Sequence, residues 1–474
     1  MVFAGYSYLL FLAAAVVVHW SLPPALRNAF LVAASYSFYA TFRWEFALLL
    51  LALTLFNWAY VRWLLAPRPT ATRLSFAVGV NLLPLFWFKY RGFSLQSAAW
   101  LVDLLGGSWH AHVDDLLLPL GISFYTFQSI AYLVDVAAGE APLSALGEML
   151  LFQAFWPKLL SGPIVRADEI RDQIRSGRRL DYEDLSAGVT RILLGLFKKI
   201  VLADSLAPIV PMVFDSGTSL HALDSGAGIL AAGLQIYFDF SGYTDIAIGS
   251  ARLLGFRLPE NFNWPYLARS PQEFWNRWHI TLSRWIRDYL FTPLSFAFRS
   301  RPALVPLWLV VSMAVCGLWH GAAWTFVLWG VWHGLLLVSN QGLLRRIFVP
   351  PQAGAGPVRS ALALGATFVL IQLGWLLFRA PSIHRAWEVL VPLLAFRGGL
   401  QPAVLRENSV LVVCAMLLGL IVAQSAEAAR AHGVRAQPRF EPLVSLLRPV
   451  VFAAMILAII IFDQEAVAFV YFQF

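Results

Sequence analysis

Apolar runs of bilayer length recur from one end of this 474-residue chain to the other, with short polar turns between them, and that alternation restricts the fold more than any motif does. A helix crossing hydrocarbon needs about 20 mostly apolar residues. Runs of that order stand near 4–21, 27–43, 46–66 and 74–90 before the first quarter of the chain is complete. Within hydrocarbon the backbone must satisfy its own hydrogen bonds, so each run is expected as a helix. Charged residues are 13% of the chain, against about a quarter in soluble domains. The expectation is an all-α, polytopic integral membrane protein: a single domain over residues 1–474 with about 11 or 12 transmembrane helices, plus re-entrant or interfacial ones. Met1 to Trp20 lacks a basic flank and a small-residue cleavage site, so it reads as a retained first span and not a removed signal.

Orientation follows from the loops. Arg62, Arg68 and Arg73 mark one loop as cytoplasmic and place the N-terminus outside; Arg430, Arg435, Arg439 and Arg448 mark the last loop likewise and place the terminal FVYFQF outside. The net charge of +8 is spread along such loops, which removes the reason to invoke nucleic acid. Lys89-Tyr90-Arg91 is expected at a helix end, its long side chains reaching to the headgroups. Two cysteines, Cys316 and Cys414, both inside apolar runs, supply neither a disulfide framework nor a thiolate metal site.

Four stretches depart from simple spans. LLLPLGISFYTFQSIAYLVDV (116–136) carries hydroxyls, Gln128 and Asp135, and so faces protein or a cavity more than lipid. WPKLLSGPI (156–164) stops at Gly162-Pro163, and RADEIRDQIRSGRR after it reads as an amphipathic surface helix with a solvated face. The run 185–214 is interrupted by Lys198, Lys199 and Asp204. In 227–254, Asp239, Ser241, Tyr243, Thr244 and Asp245 crowd two turns that Gly242 should loosen. Six residues separate the two aspartates, so they point to different helix faces and make no acid/base dyad of their own.

The segment 259–301 is too polar for a span, and we read it as interfacial or re-entrant. If 273–290 is helical, Trp275, His279 and Ser283 share a face and Arg284 pairs with Asp288. A tryptophan-rich interface belt with snorkelling arginines accounts for the same composition. Next comes Gly317-Leu318-Trp319-His320-Gly321, which closes an apolar run on an imidazole; a titratable group at such depth is a functional candidate. Its echo, Trp332-His333-Gly334, reads as helix packing through glycine, with His333 structural. Walker, HExxH and GxSxG patterns are absent, which leaves no ATP-driven pump, zinc protease or serine hydrolase signature. Two classes remain: a transporter or exporter with a midplane site, or an enzyme moving a group between substrates at the bilayer.

The succession LPLGISFYTFQSIAYLVDV, WPKLLSGPI, GLFKKIVLAD, IYFDFSGYTDIAIG, PENFNWPYLARSPQEFWNRWHITLSRWIRDYL and GLWHGAAWTFVLWGVWHG, with a terminal YFQF, resembles the membrane-bound O-acyltransferase family over nearly the whole chain. The resemblance implies a helical fold around a central funnel or pore in the bacterial inner membrane, with no bound cofactor or metal. It also implies acyl transfer, acetyl in particular, from a cytoplasmic thioester donor such as acetyl-CoA to an extracytoplasmic hydroxyl, for O-acetylation of alginate or another exopolysaccharide through a periplasmic or cell-surface partner. By the same resemblance His320 is the catalytic histidine and His279 a second functional position. On that footing His320 is the general base. His279 is an acceptor-orienting or oxyanion-stabilising donor, with Asn276 and Trp275 beside it, and structural packing is its alternative. Asp239, Ser241, Tyr243 and Asp245 line the pore or orient an imidazole. Arg277, Arg284 and Arg287 meet either donor phosphates or lipid headgroups. A scaffold that docks a surface enzyme is the remaining rival, and it predicts that His320 is replaceable.

Overall fold

The structure is a computed structural model and describes residues 3–109, 116–176, 180–341, 348, 356–431 and 441–463. The terminal FVYFQF, the Arg345-Arg346 pair, Arg435 and Arg439 lie outside the described residues. Among the described residues every regular element is a helix. Five of them are long and apolar enough to cross a membrane: Trp44–Leu65, Ala71–Leu104, Pro302–His320, Val358–Arg379 and Glu407–Gln424, with Tyr6–Ser21 and Pro449–Phe462 as shorter apolar helices. Their outer faces carry exposed Leu10, Val17, Leu48, Leu83 and Leu418, as side chains bathed in lipid should. The chain is an all-α, multi-pass membrane protein.

Local chemistry explains the boundaries. Thr70, Ser270 and Ser382 each accept a hydrogen bond from the backbone N–H three residues on, and so start the helices at Ala71, Pro271 and Ile383. Ala167–Arg175 is the expected amphipathic helix: Ala167, Ile170 and Ile174 are buried while Asp168 and Asp172 face outward.

Three expectations are corrected. Lys89-Tyr90-Arg91 does not end a helix; the chain passes through a wide π turn, Phe86–Tyr90, straight into the helix Arg91–Leu104, and the Arg91 guanidinium lies 4.9 Å over Trp87. Gly242 does not loosen its helix, since Ala222–Leu253 is continuous. Its bareness serves contact instead, as a Cβ there would lie 2.8 Å from the Gly195 carbonyl oxygen. Third, three of the four tryptophans of 259–301 form no interface belt, and the fourth, Trp264, is half-buried. Trp275, Trp278 and Trp285 are all buried.

Contacts divide the chain into two compact units. The first holds Met1–Ile192, Thr244–Glu260 and Arg287–Tyr289. Its core gathers Tyr8, Phe38, Tyr39, Tyr125, Phe152 and Trp156, and the Tyr8 hydroxyl donates to Ser250 Oγ at 2.8 Å. Charged pairs sit at its margin: Arg191 with Asp245 and Glu260, Arg252 with Asp184, and Arg166 with Asp288. Buried Lys158 donates to Gln128 Oε1.

The second unit holds Leu193–Tyr243, Asn261–Ile286 and Leu290–Phe474. Its spine is an antiparallel pair, Val305–His320 against Trp324–Gln341, and glycine sets their spacing. A Cβ on Gly317, Gly330 or Gly334 would fall 2.0 Å from Phe326 O, 2.1 Å from Met313 O and 2.7 Å from Val310 Cα respectively. Small residues at helix contacts let backbones close up, and membrane helix interfaces are enriched in them.

Candidate active site

His320 is the last residue of the helix Val305–His320, and 4% of it is exposed. The glycines around it each have a task. Gly317 admits the partner helix, and Gly321 leaves room for a ring, because a Cβ there would lie 2.1 Å from Phe326 Cε2. Phe326 packs on Phe378 at 4.9 Å between centroids, and Phe378, Trp329 and Trp319 stand edge-on to the His320 ring at 5.4, 5.1 and 4.9 Å. The imidazole therefore sits in an aromatic box.

His279 comes from a different kind of backbone. The helix Pro271–Trp275 ends before it and Ile280–Ile286 begins after it, so Trp275, His279 and Ser283 share no helix face. The chain turns at Asn276 to His279, and His279 itself has φ +41°. Left-handed backbone at a non-glycine residue costs about 1–3 kcal/mol and survives only where surroundings impose it. Here they do so visibly. Asn261 O accepts from the Ile280 N–H at 2.9 Å, while Asn261 Oδ1 accepts from Thr281 Oγ1 at 2.9 Å and Thr281 N at 3.3 Å.

The same Asn261 Oδ1 lies 3.0 Å from His279 Nδ1. Because Thr281 donates to that atom through its backbone N–H, it must be the amide oxygen, an acceptor. His279 Nδ1 therefore carries the proton, and the neutral ring keeps its lone pair on Nε2. Phe240 closes one side of this fully buried imidazole at 4.7 Å, and the ring of His320 stands 6.3 Å away, centroid to centroid. The two imidazoles are therefore neighbours, as two side chains acting on one reacting group must be.

The remaining candidates are dispersed. Trp275 packs against Trp329 and His333, and Asn276 is exposed while His279 is buried. Arg277 donates to Glu273 Oε1 at 2.9 Å and to the Asn263 carbonyl; Arg284 and Arg287 are exposed, and Arg287 pairs with Asp288. Asp288 also binds Arg166. Asp239 pairs with Lys199 at 2.9 Å, and Asp204 joins the same ammonium at 2.8 Å. Asp245, on another face as its spacing requires, pairs with Arg191 at 2.5 Å in the first unit. Ser241 and Tyr243 are buried on the same helix. His333 is fully buried among Phe274, Trp275 and Trp329. Sequence reading missed Asn261, which stands 18 residues before the ring it holds. A spacing argument does not reach that far, although PENFNW lay in plain view.

A helical, multi-pass membrane protein that buries two adjoining imidazoles behind aromatic walls has the build of an enzyme working within the bilayer. Residues 143–372, which include both histidines, match the membrane-bound O-acyltransferase family. The chain is 39% identical to the probable alginate O-acetylase AlgI of Azotobacter vinelandii, over 84% of this chain and 78% of that protein. It is 34% identical to the peptidoglycan O-acetyltransferase of Helicobacter pylori (79% and 75%) and 27% identical to the teichoic acid D-alanyltransferase of Bacillus subtilis (65% and 78%). The chain belongs to the membrane-bound O-acyltransferase family, and it is an O-acyltransferase.

Proposed function

We propose that the chain takes an acetyl group from acetyl-CoA on the cytoplasmic side and delivers it to an extracytoplasmic hydroxyl, for O-acetylation of an alginate-like or other exopolysaccharide. A periplasmic or cell-surface partner completes the transfer, in the inner membrane of a bacterium, with both termini outside. The similarity to proteins named for alginate and peptidoglycan O-acetylation supports this acceptor class. No cofactor is needed, because the thioester itself is the activated species.

The observation that carries the reading is the pair of imidazoles 6.3 Å apart. His320 is the general base: imidazole is the side chain most often used to take a hydroxyl proton. It takes the proton as the acceptor O–H bond breaks; the oxygen bonds to the acyl carbon, the C–S bond breaks, and the departing thiolate recovers the proton. His279, with Nδ1–H committed to Asn261, presents Nε2 as an acceptor, which suits orienting the attacking hydroxyl better than donating to an oxyanion while the ring is neutral. Asp239 and Asp245 hold cations of the scaffold, and Arg277, Arg284 and Arg287 remain the candidates for donor phosphates.

Complementation tests it. In cells lacking the chain, the native protein should restore O-acetyl groups on the polymer, and label should pass from acetyl-CoA in membranes. His320→Ala at equal membrane abundance should restore neither. Transfer by that variant within twofold of native would remove His320 from the chemistry.

A further inference from the structure

The helices Tyr6–Ser21 and Pro24–Ala40 turn about Leu22-Pro23, and the surface helix Ala167–Arg175 is tied to that turn by Asn28, whose Nδ2 donates to the Ile174 carbonyl at 2.7 Å. Between them lies a cavity of 380 Å³ within the first unit, lined among others by His19, Arg27, Asn28, Glu148, Gln173 and Arg175. Small-molecule sites run from about 300 to 1,000 Å³, so the space is sufficient for a ligand headgroup. The acid–base step described above uses none of these residues.

Its chemistry points to an anion. Two guanidiniums face one carboxylate, and that carboxylate is already gripped at both oxygens by Arg175, Nε to Oε1 at 2.7 Å and an η nitrogen to Oε2 at 2.9 Å. The lining as a whole is therefore positive. Arg27 is held in place, its guanidinium 4.9 Å over the Trp20 ring and its Nε donating to the Leu22 carbonyl at 3.1 Å. His19, 4% exposed, stands edge-on to the same Trp20 at 4.8 Å, and its Nδ1 has no partner among the described residues. The first turn of Pro24–Ala40 adds the positive end of a helix to the rim. The Arg175 fork is spent on Glu148 and Gln173 Nε2 on the Glu169 and Arg257 carbonyls, so the Arg27 guanidinium, the His19 imidazole and the Asn28 amide are the groups around this space that match the acceptor oxygens of phosphate.

We infer that this cavity binds a phosphate ester. Two sources are at hand on the side that the basic loops assign to the cytoplasm: the headgroup of an anionic phospholipid, and the phosphate-bearing nucleotide end of a coenzyme thioester. Every wall belongs to the first unit, so the site stands whether or not the histidines act as proposed, and binding is measured without acyl transfer.

The purified full chain in detergent is titrated calorimetrically with adenosine 3′,5′-bisphosphate, and separately assayed by native mass spectrometry for retained phosphatidylglycerol. One of the two should bind saturably at one per chain, and the one that does identifies the source. Arg27→Gln should weaken it at least tenfold, with Arg27→Lys intermediate. On the native chain, a photoreactive analogue of the bound probe should label residues 19–28 or 173–176. Binding of neither probe, label confined elsewhere, or a folded Arg27→Gln that binds like the native chain overturns the site; if Arg27→Gln does not fold, the labelling decides.

Discussion

Two of the polar clusters buried in the second unit solve the same problem in opposite ways. At Lys199 an ammonium 2% exposed is answered by two carboxylates, Asp239 at 2.9 Å and Asp204 at 2.8 Å. At His279 and His320 the buried groups are rings that are neutral when unprotonated, walled by Phe240, Trp319, Trp329 and Phe378, with His279 tied to the scaffold through Asn261. A charge removed from water must be compensated on the spot, which commits both partners to each other. A neutral imidazole can be buried at far lower cost and keep a lone pair for chemistry. On the function proposed above, the contrast separates groups that build the protein from groups that work in it, and the aspartates, the more conspicuous letters in IYFDFSGYTDIAIG, are the less suited of the two sets to move protons.

Replacing one member in each cluster sharpens the distinction. His320→Ala should lower the transfer rate by about 100- to 10,000-fold, the usual contribution of a positioned base, with the melting temperature in detergent unchanged. Lys199→Met should act the other way round. Removing one partner from a buried ion pair costs about 3–5 kcal/mol, so the folded fraction in membranes should collapse, and a stable, inactive Lys199→Met would break the comparison by placing the ammonium in the reaction. Asn261→Ala should fall between, with kcat down about tenfold, equivalent to about 1.4 kcal/mol, and the donor KM unmoved, since the change frees the His279 tautomer and removes no donor contact; an altered KM alone would reassign Asn261. The smallest effect is expected from Arg287→Gln, an exposed side chain paired with its neighbour Asp288. Its kcat should stay within twofold of native while the acetyl-CoA KM rises about twofold to threefold, and an unmoved KM would remove Arg287 from donor binding.

Much of this was legible in the letters. Span-length apolar runs became helices at Tyr6–Ser21, Pro24–Ala40, Trp44–Tyr60, Pro357–Arg379 and Glu407–Ala431, and the GLWHG stretch does close a helix on His320. What misled was local pattern applied where packing rules. Helical spacing put Trp275, His279 and Ser283 on one face, but the chain breaks there because Asn261, from a separate loop, captures Ile280, Thr281 and the imidazole together. Basic residues at Lys89 to Arg91 looked like a helix end, yet a π turn carries the helix past them. Aromatics beside arginines looked like an interface, yet Trp278 is fully buried and Arg277 is held by Glu273.

The sequence by itself determined that the chain lives in a bilayer, where several of its apolar helices run, and which imidazole ends one of them, because transfer of apolar side chains from water is decided residue by residue along a single run. Tertiary structure alone decided that His279 stands beside His320, which of its nitrogens carries the proton, and that the aspartates answer lysine and arginine. Those outcomes depend on contacts between residues far apart in the chain, and no local periodicity encodes them.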